Sequence, residues 1–178
     1  EEMVPAPANV YAFSKVQLDN LARDYAQQNL AWRIVGVRYF NVYGRNEIHK
    51  EAAASMIYQL YRQMAAGKRP RVFVGGEQKR DFVYVKDVVD MTIRAVGAPM
   101  SGVYNCGSGV PFSFNEVISS LNKALGTQFE PEYIENPYCF YQPHTEADMD
   151  RAKKELGFEP QFRPEIGIPD YVQSLQEA

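Results

Sequence analysis

The chain has 178 residues, 46% apolar and 23% charged, with a net charge of −3. This is the composition of an ordinary globular protein, and its charge excludes the positive field of a nucleic-acid binder. The two cysteines, Cys106 and Cys139, exclude a cysteine-rich zinc site and a disulfide framework and fit a reducing cytoplasm. No apolar run approaches the ~20 residues that span a bilayer, so neither a membrane segment nor a metal site is expected.

After a proline-broken start, residues 12–28 predict a helix. Leu18, Leu21, Ala22 and Tyr25 fall at helical spacing, and Asp19, Asn20, Arg23, Asp24, Gln27 and Gln28 take the other face. Ile34 to Phe40 opens with β-branched residues and predicts a buried parallel strand, ending in a turn at Asn41-Val42-Tyr43-Gly44. Residues 51–66 predict a second helix, with Met56, Leu60 and Met64 four apart and Gly67 as its stop.

Short strands are predicted at 71–74 and 81–85, and Asp87 opens a helix to about Val96. A strand follows at 102–106. Gly107-Ser108-Gly109 reads as a strand-end turn, because Phe112 occupies the place of a third glycine in a dinucleotide fingerprint. Ser113 and Glu116 form a capping box for a helix that ends at Gly126. A strand at 131–134, a helix between Thr145 and Gly157, and a last helix with Pro164 in its first turn complete the chain.

Helices alternating with short strands define an α/β protein. The order fits the later part of a Rossmann-type doubly wound parallel sheet with a small C-terminal substrate-binding lobe. Residues 1–45 and 86–112 are expected to belong to the dinucleotide-binding domain, and 46–85 and 113–178 to the lobe. A parallel sheet needs its neighbouring strands, so the chain is expected to be the later portion of a longer protein.

The first chemistry-bearing pair is Tyr11 and Lys15, four apart on one helix face. A phenol titrates near pH ~10, too high for a base at neutral pH, and an ammonium beside it favours the phenolate. Such a pair could take the proton of a sugar hydroxyl while the hydride leaves for a nicotinamide. Taken alone, the pair is as compatible with a packed tyrosine and a solvated lysine.

Three stretches in order change that balance: Asn9-Val-Tyr11-Ala-Phe-Ser-Lys15, Arg38-Tyr-Phe-Asn41-Val-Tyr-Gly44, and Arg80-Asp-Phe-Val-Tyr-Val-Lys-Asp87. Together they resemble the extended short-chain dehydrogenase/reductase family of nucleotide-sugar enzymes, over essentially the whole chain. His49-Lys50 and Tyr141-Gln-Pro-His-Thr145-Glu-Ala-Asp148 resemble the branch of that family that epimerises ADP-heptose.

The resemblance implies an NADP-dependent (NAD possible) epimerisation at C6″ of ADP-glycero-manno-heptose, serving lipopolysaccharide core heptose supply, in a cytoplasmic homo-oligomer. Tyr11 and Lys50 would be acid/base groups on opposite faces of the sugar, with Lys15 supporting Tyr11. Tyr11, Lys15, Val42 and Lys50 would touch the cofactor. Asn41, Ala52, Gln59, Phe73, Val74, Gly75, Gly76, Arg80 and Tyr141 would touch the substrate, Arg80 at the diphosphate. Bland alternatives stand beside these roles: a turn cap for Asn41, a solvated loop lysine for Lys50, a strand and turn for 73–76, and a salt bridge for Arg80.

The chain departs from the family pattern at Ala12, where glycine is usual, and at Ala52, where serine is usual. Val74 and Gly76 stand in place of a glutamate and a serine. The Gly-rich phosphate loop and the Ser/Thr partner of the catalytic tyrosine are not in the chain, so the chain alone is expected to bind NADP weakly and to be inactive. Two other readings compete: a UDP-hexose 4-epimerase, and a non-catalytic piece or oligomerisation module.

Overall fold

The computed structural model describes residues 6–137 and 141–177. Cys139 lies outside them. In chain order the elements are α1 (Val10–Gln28), β1 (Val35–Tyr39), β2 (Asn41–Tyr43), a 3₁₀ turn (Ile48–Ala53), α2 (Met56–Ala65), β3 (Arg71–Phe73), β4 (Lys79–Tyr84), α3 (Val85–Val96), β5 (Gly102–Cys106), β6 (Pro111–Ser113), α4 (Phe114–Leu125), β7 (Glu132–Ile134), α5 (Asp150–Leu156) and α6 (Pro164–Gln176).

The strands form three small sheets. β1 pairs parallel with β5, from Val35 opposite Gly102 to Tyr39 opposite Cys106. β2 pairs parallel with β4, which pairs antiparallel with β6. β3 pairs parallel with β7. The chain passes from the first sheet to the second at Phe40, whose N–H donates to the Cys106 carbonyl at 3.0 Å. Residues 41–43, expected as a turn, are therefore a strand. A free edge on β4 at Phe82–Tyr84 accepts them, and pairing of that kind leaves no mark in local sequence.

β4 separates two cores. Phe82 and Tyr84 face a cluster with Tyr43, Ile57, Leu60, Phe114, Leu121, Ile168 and Tyr171, between α2, α4 and α6. Val83 points the other way, into a cluster with Met91, Tyr104, Cys106, Ala152 and Phe158 under β5, α3 and α5. The two-residue repeat of a strand sends alternate side chains to opposite faces, so one strand serves both cores. Burial in the second core pushes the Cys106 thiol up to about 12.

The capping box forms as expected: the Ser113 side chain accepts from the Glu116 N–H, and the Glu116 side chain accepts from the Ser113 N–H. Gly126 and Gly157 end α4 and α5 in the left-handed conformation. Pro164 sits in the first turn of α6.

Two helix boundaries move. α2 begins at Met56 rather than at residue 51, because Ser55 caps it by accepting from the Tyr58 N–H. Residues 48–53 instead form the 3₁₀ turn, with Glu51 at φ 48°, ψ −115°. α5 begins at Asp150, later than Thr145, whose hydroxyl accepts from the Asp81 N–H.

α1 turns a different face to the protein than its apolar stripe suggests. Leu18, Leu21 and Tyr25 are each more than half exposed, while Ala12, Val16, Asp19, Ala22 and Ala26 are partly covered. Asp19 accepts two hydrogen bonds from Arg38 of β1, which turns this face of small residues toward the sheet.

Candidate active site

A cavity of about 770 Å³ opens where β1 ends and β2 begins, at Phe40, Asn41 and Val42; the C-terminal ends of strands are where open α/β sheets place their ligands. Its walls come from separate stretches of chain: Tyr11 from α1, Asn41 and Val42 from β2, Lys50 and Ala52 from the 3₁₀ turn, Gln59 from α2, Phe73 from β3, Arg80 from β4, and Tyr141.

Tyr11 stands in the first turn of α1, where Asn9 caps the helix by accepting from the Ala12 N–H at 2.8 Å. Tyr11 lines the cavity and is 71% exposed. Lys15 is not a wall residue, but its ammonium lies 5.1 Å from the Tyr11 ring centroid. The helix spacing thus brings the two into contact, as expected.

Gln59 donates from Nε2 to the Ala52 carbonyl at 3.1 Å and to the Ala54 carbonyl at 2.8 Å. That fixes its amide group and leaves Oε1 as its free acceptor face. Elsewhere in the wall the Arg80 guanidinium lies 4.8 Å from the Tyr141 ring centroid, and Phe73 meets that ring edge-on at 5.1 Å. Burial pushes the Tyr141 phenol up, and the Arg80 charge opposes the rise. Arg80 also donates to the Lys79 carbonyl and makes none of the ion pairs found among the described residues. It is therefore not a structural salt bridge there.

Val74, Gly75 and Gly76 are not walls of this cavity. Val74 is 64% exposed. Gly75 and Gly76 make a turn with φ of 87° and 61°, tied to α4 because the Asn115 N–H donates to the Gly76 carbonyl and Asn115 Nδ2 to the Gly75 carbonyl. The positive φ of Gly76 accounts for glycine at that position, and a Cβ there would also meet the Asn115 side chain.

Wall residues outside the expected set include Phe40, Met56, Arg71, Phe82 and Phe114. Strand alternation was the available signal for two of them: Arg71 shares a face with Phe73, and Phe82 with Arg80.

The Lys15 ammonium and the Tyr11 phenol lie together beside the cavity, where they could hydrogen-bond the hydroxyls of a bound molecule. No residues of this chain form a glycine-rich cradle for the pyrophosphate.

Fold and cavity together define an α/β protein of the Rossmann type, with a pocket beside the end of β1. The family model described as NAD dependent epimerase/dehydratase family matches residues 1–107, and the chain belongs to that family. The chain is 35% identical over 178 residues to the ADP-L-glycero-D-manno-heptose-6-epimerase of Brachyspira hyodysenteriae, a match that covers 97% of the chain and 56% of the relative.

The crystal structure of ADP-L-glycero-D-manno-heptose-6-epimerase from Helicobacter pylori matches at 40% identity with a TM-score of 0.88, over 97% of this chain and 53% of that one. The UDP-glucuronic acid 4-epimerase of Bacillus cereus, solved with UDP-glucuronic acid and NAD, matches at 27% identity and a TM-score of 0.82, over 98% and 56% respectively. The chain thus spans about half the length of the relatives it matches. Among the described residues no helix is long and apolar enough to cross a membrane. None of the His, Cys, Asp and Glu groups there could hold a metal ion.

Proposed function

We propose that the full-length protein interconverts the C6″ epimers of ADP-glycero-manno-heptose, with NADP as cofactor (NAD as the alternative), for lipopolysaccharide core heptose supply. The observation that carries this reading is the convergence of Tyr11, Lys50, Arg80 and Tyr141, from four separate stretches, on one cavity. The names of the similar proteins support the substrate.

In this reading the bound nicotinamide supplies the hydride acceptor and donor at the sugar carbon. Tyr11 holds the hydroxyl proton on one face of that carbon, and Lys50 on the other, since inversion requires protons to move on both faces. Lys15 keeps positive charge at Tyr11 and holds the cofactor's ribose, and Val42 and Lys50 also contact the cofactor. Arg80 binds the diphosphate with its planar fork, stacked on Tyr141. Asn41, Gln59, Phe73 and the Ala52 backbone orient the sugar nucleotide, and Val74, Gly75 and Gly76 border the nucleotide end. Residues 1–45 and 86–112 act as the dinucleotide-binding part and 46–85 and 113–178 as the substrate lobe, within a cytoplasmic homo-oligomer.

The test is an assay of the full-length protein with ADP-heptose and with UDP-hexoses, supplied with NADP or NAD. Epimerisation of ADP-heptose is expected. Turnover of UDP-hexose alone would overturn the proposal.

A further inference from the structure

The turn that carries Lys50 has no apolar anchor of its own: no residue of Ile48–Ala53 is buried. Its shape is nonetheless costly. Asn46 and Glu51 both hold positive φ, at 68° and 48°, and conformations of that kind persist only where the surroundings over-determine them.

What holds the turn is one buried carboxylate. Glu47 is 3% exposed. Its Oε1 accepts from the Gly44 N–H at 3.3 Å, just after β2, and from the Ser55 hydroxyl at 2.8 Å. Its Oε2 accepts from the Ser55 N–H at 2.6 Å. A single side chain therefore ties the start of the segment to its end.

The tie continues on both sides. Ser55 Oγ also accepts from the Tyr58 N–H and so caps α2, whose Gln59 donates back to the Ala52 and Ala54 carbonyls. Beneath, Tyr171 of α6 stands against the same carboxylate, its phenol pushed up by burial first and then by the Glu47 charge.

From this geometry we infer that Glu47 is a positioning residue: it fixes the Lys50 turn and the start of α2 relative to β2, and so sets Lys50 in the wall of the cavity that Tyr11 also lines. The inference rests on the acid/base role proposed for Lys50. Hydrogen bonds to an ionised acceptor are the strong ones, and Glu47 supplies three in a place sheltered from water. Glutamine keeps the size of the side chain but turns one acceptor into a donor facing the Ser55 N–H.

The test compares the full-length protein with its Glu47→Gln and Ser55→Ala variants by amide hydrogen exchange and by kinetics on ADP-heptose with NADP. In Glu47→Gln, exchange of residues 44–55 is expected to rise about tenfold while the β1–β5 amides stay as they were. Turnover is expected to fall about a hundredfold with KM within a fewfold, since misplacing a reacting group costs rate more than binding. Ser55→Ala, which removes one of the three bonds, is expected to give the same pattern more weakly, and it serves where Glu47→Gln does not fold.

Unchanged exchange in both variants overturns the tie. Faster exchange with unchanged turnover overturns the positioning role. A Lys50→Met protein that still epimerises would overturn the reading of Lys50 instead, while the exchange data would continue to report on Glu47.

Discussion

The Arg80 guanidinium sits over the face of the Tyr141 ring at 4.8 Å from its centroid, and Phe73 closes the far edge of the same ring. The ring holds the cation at the cavity wall without neutralising it, so Arg80 is free to meet an anion. A cation–π contact of this kind contributes about 0.5–2 kcal/mol, depending on how dry it is. Tyr141→Ala in the full-length protein is therefore expected to raise KM for the nucleotide sugar about tenfold and leave kcat nearly unchanged. Tyr141→Phe, which keeps the ring, should stay close to the parent. A drop in kcat at constant KM would place the pair in the chemical step instead.

Tyr11 and Lys50 enter the cavity from different elements. Tyr11→Phe and Lys50→Met in the full-length protein are each expected to lower kcat by about 10²–10⁴, the range for loss of an acid/base group. Nucleotide-sugar binding, measured by titration calorimetry, should persist in both. An active variant would remove that residue from its assigned role.

Asp81, next to Arg80, is fully buried and joins three segments. Its Oδ1 accepts from the Ser108 N–H and hydroxyl, and its Oδ2 from the Gly109 and Ala147 N–H groups, all within 2.9 Å. Asp81→Asn puts a donor where donors converge. A loss of about 3 kcal/mol is expected from urea unfolding, the scale of a buried charged acceptor that is no longer matched. A loss below about 1 kcal/mol would show that the segments hold without it.

Asp170 on α6 accepts from the Tyr84 hydroxyl at 2.5 Å and from Lys86 at 2.9 Å. The Tyr84 bond first, and then Lys86, hold its carboxyl below the usual 3.8. A carboxyl lowered by folding contributes stability above its unfolded value, and that contribution fades as pH falls through the lowered one. The side chain is 35% exposed, so the contribution is under about 1 kcal/mol. Asp170→Asn should flatten the stability profile below about pH 4, lowering stability at pH 7 by under about 1 kcal/mol and converging on the parent in acid. An unchanged acid limb in thermal melts would contradict this.

Much of the local architecture was legible. The Ser113–Glu116 box, the stops at Gly126 and Gly157, Pro164 at the start of α6 and the strand at 102–106 all stand where the sequence places them. Each depends on residues within a turn or two, so nearest-neighbour chemistry suffices. The errors fall where distant partners intervene. β2 exists because Phe82–Tyr84 offers it an edge, and α2 starts late because Ser55 is held by Glu47. α1 turns the face of Val16, Asp19, Ala22 and Ala26 to the sheet because Asp19 meets Arg38.

The same division runs through the site. The sequence by itself determined the α/β class, the contact of Lys15 with Tyr11 one helical turn away, and the resemblance that pointed to Asn41, Lys50, Arg80 and Tyr141. Only the tertiary structure decided which of these share a cavity, that Asn115 ties the turn at Gly75 and Gly76 to α4, and that Glu47 underlies the Lys50 turn. The reason is physical: helix spacing and capping act over a few residues, whereas a cavity wall is set by packing between segments as distant in sequence as Tyr11 and Tyr141, which no local pattern records.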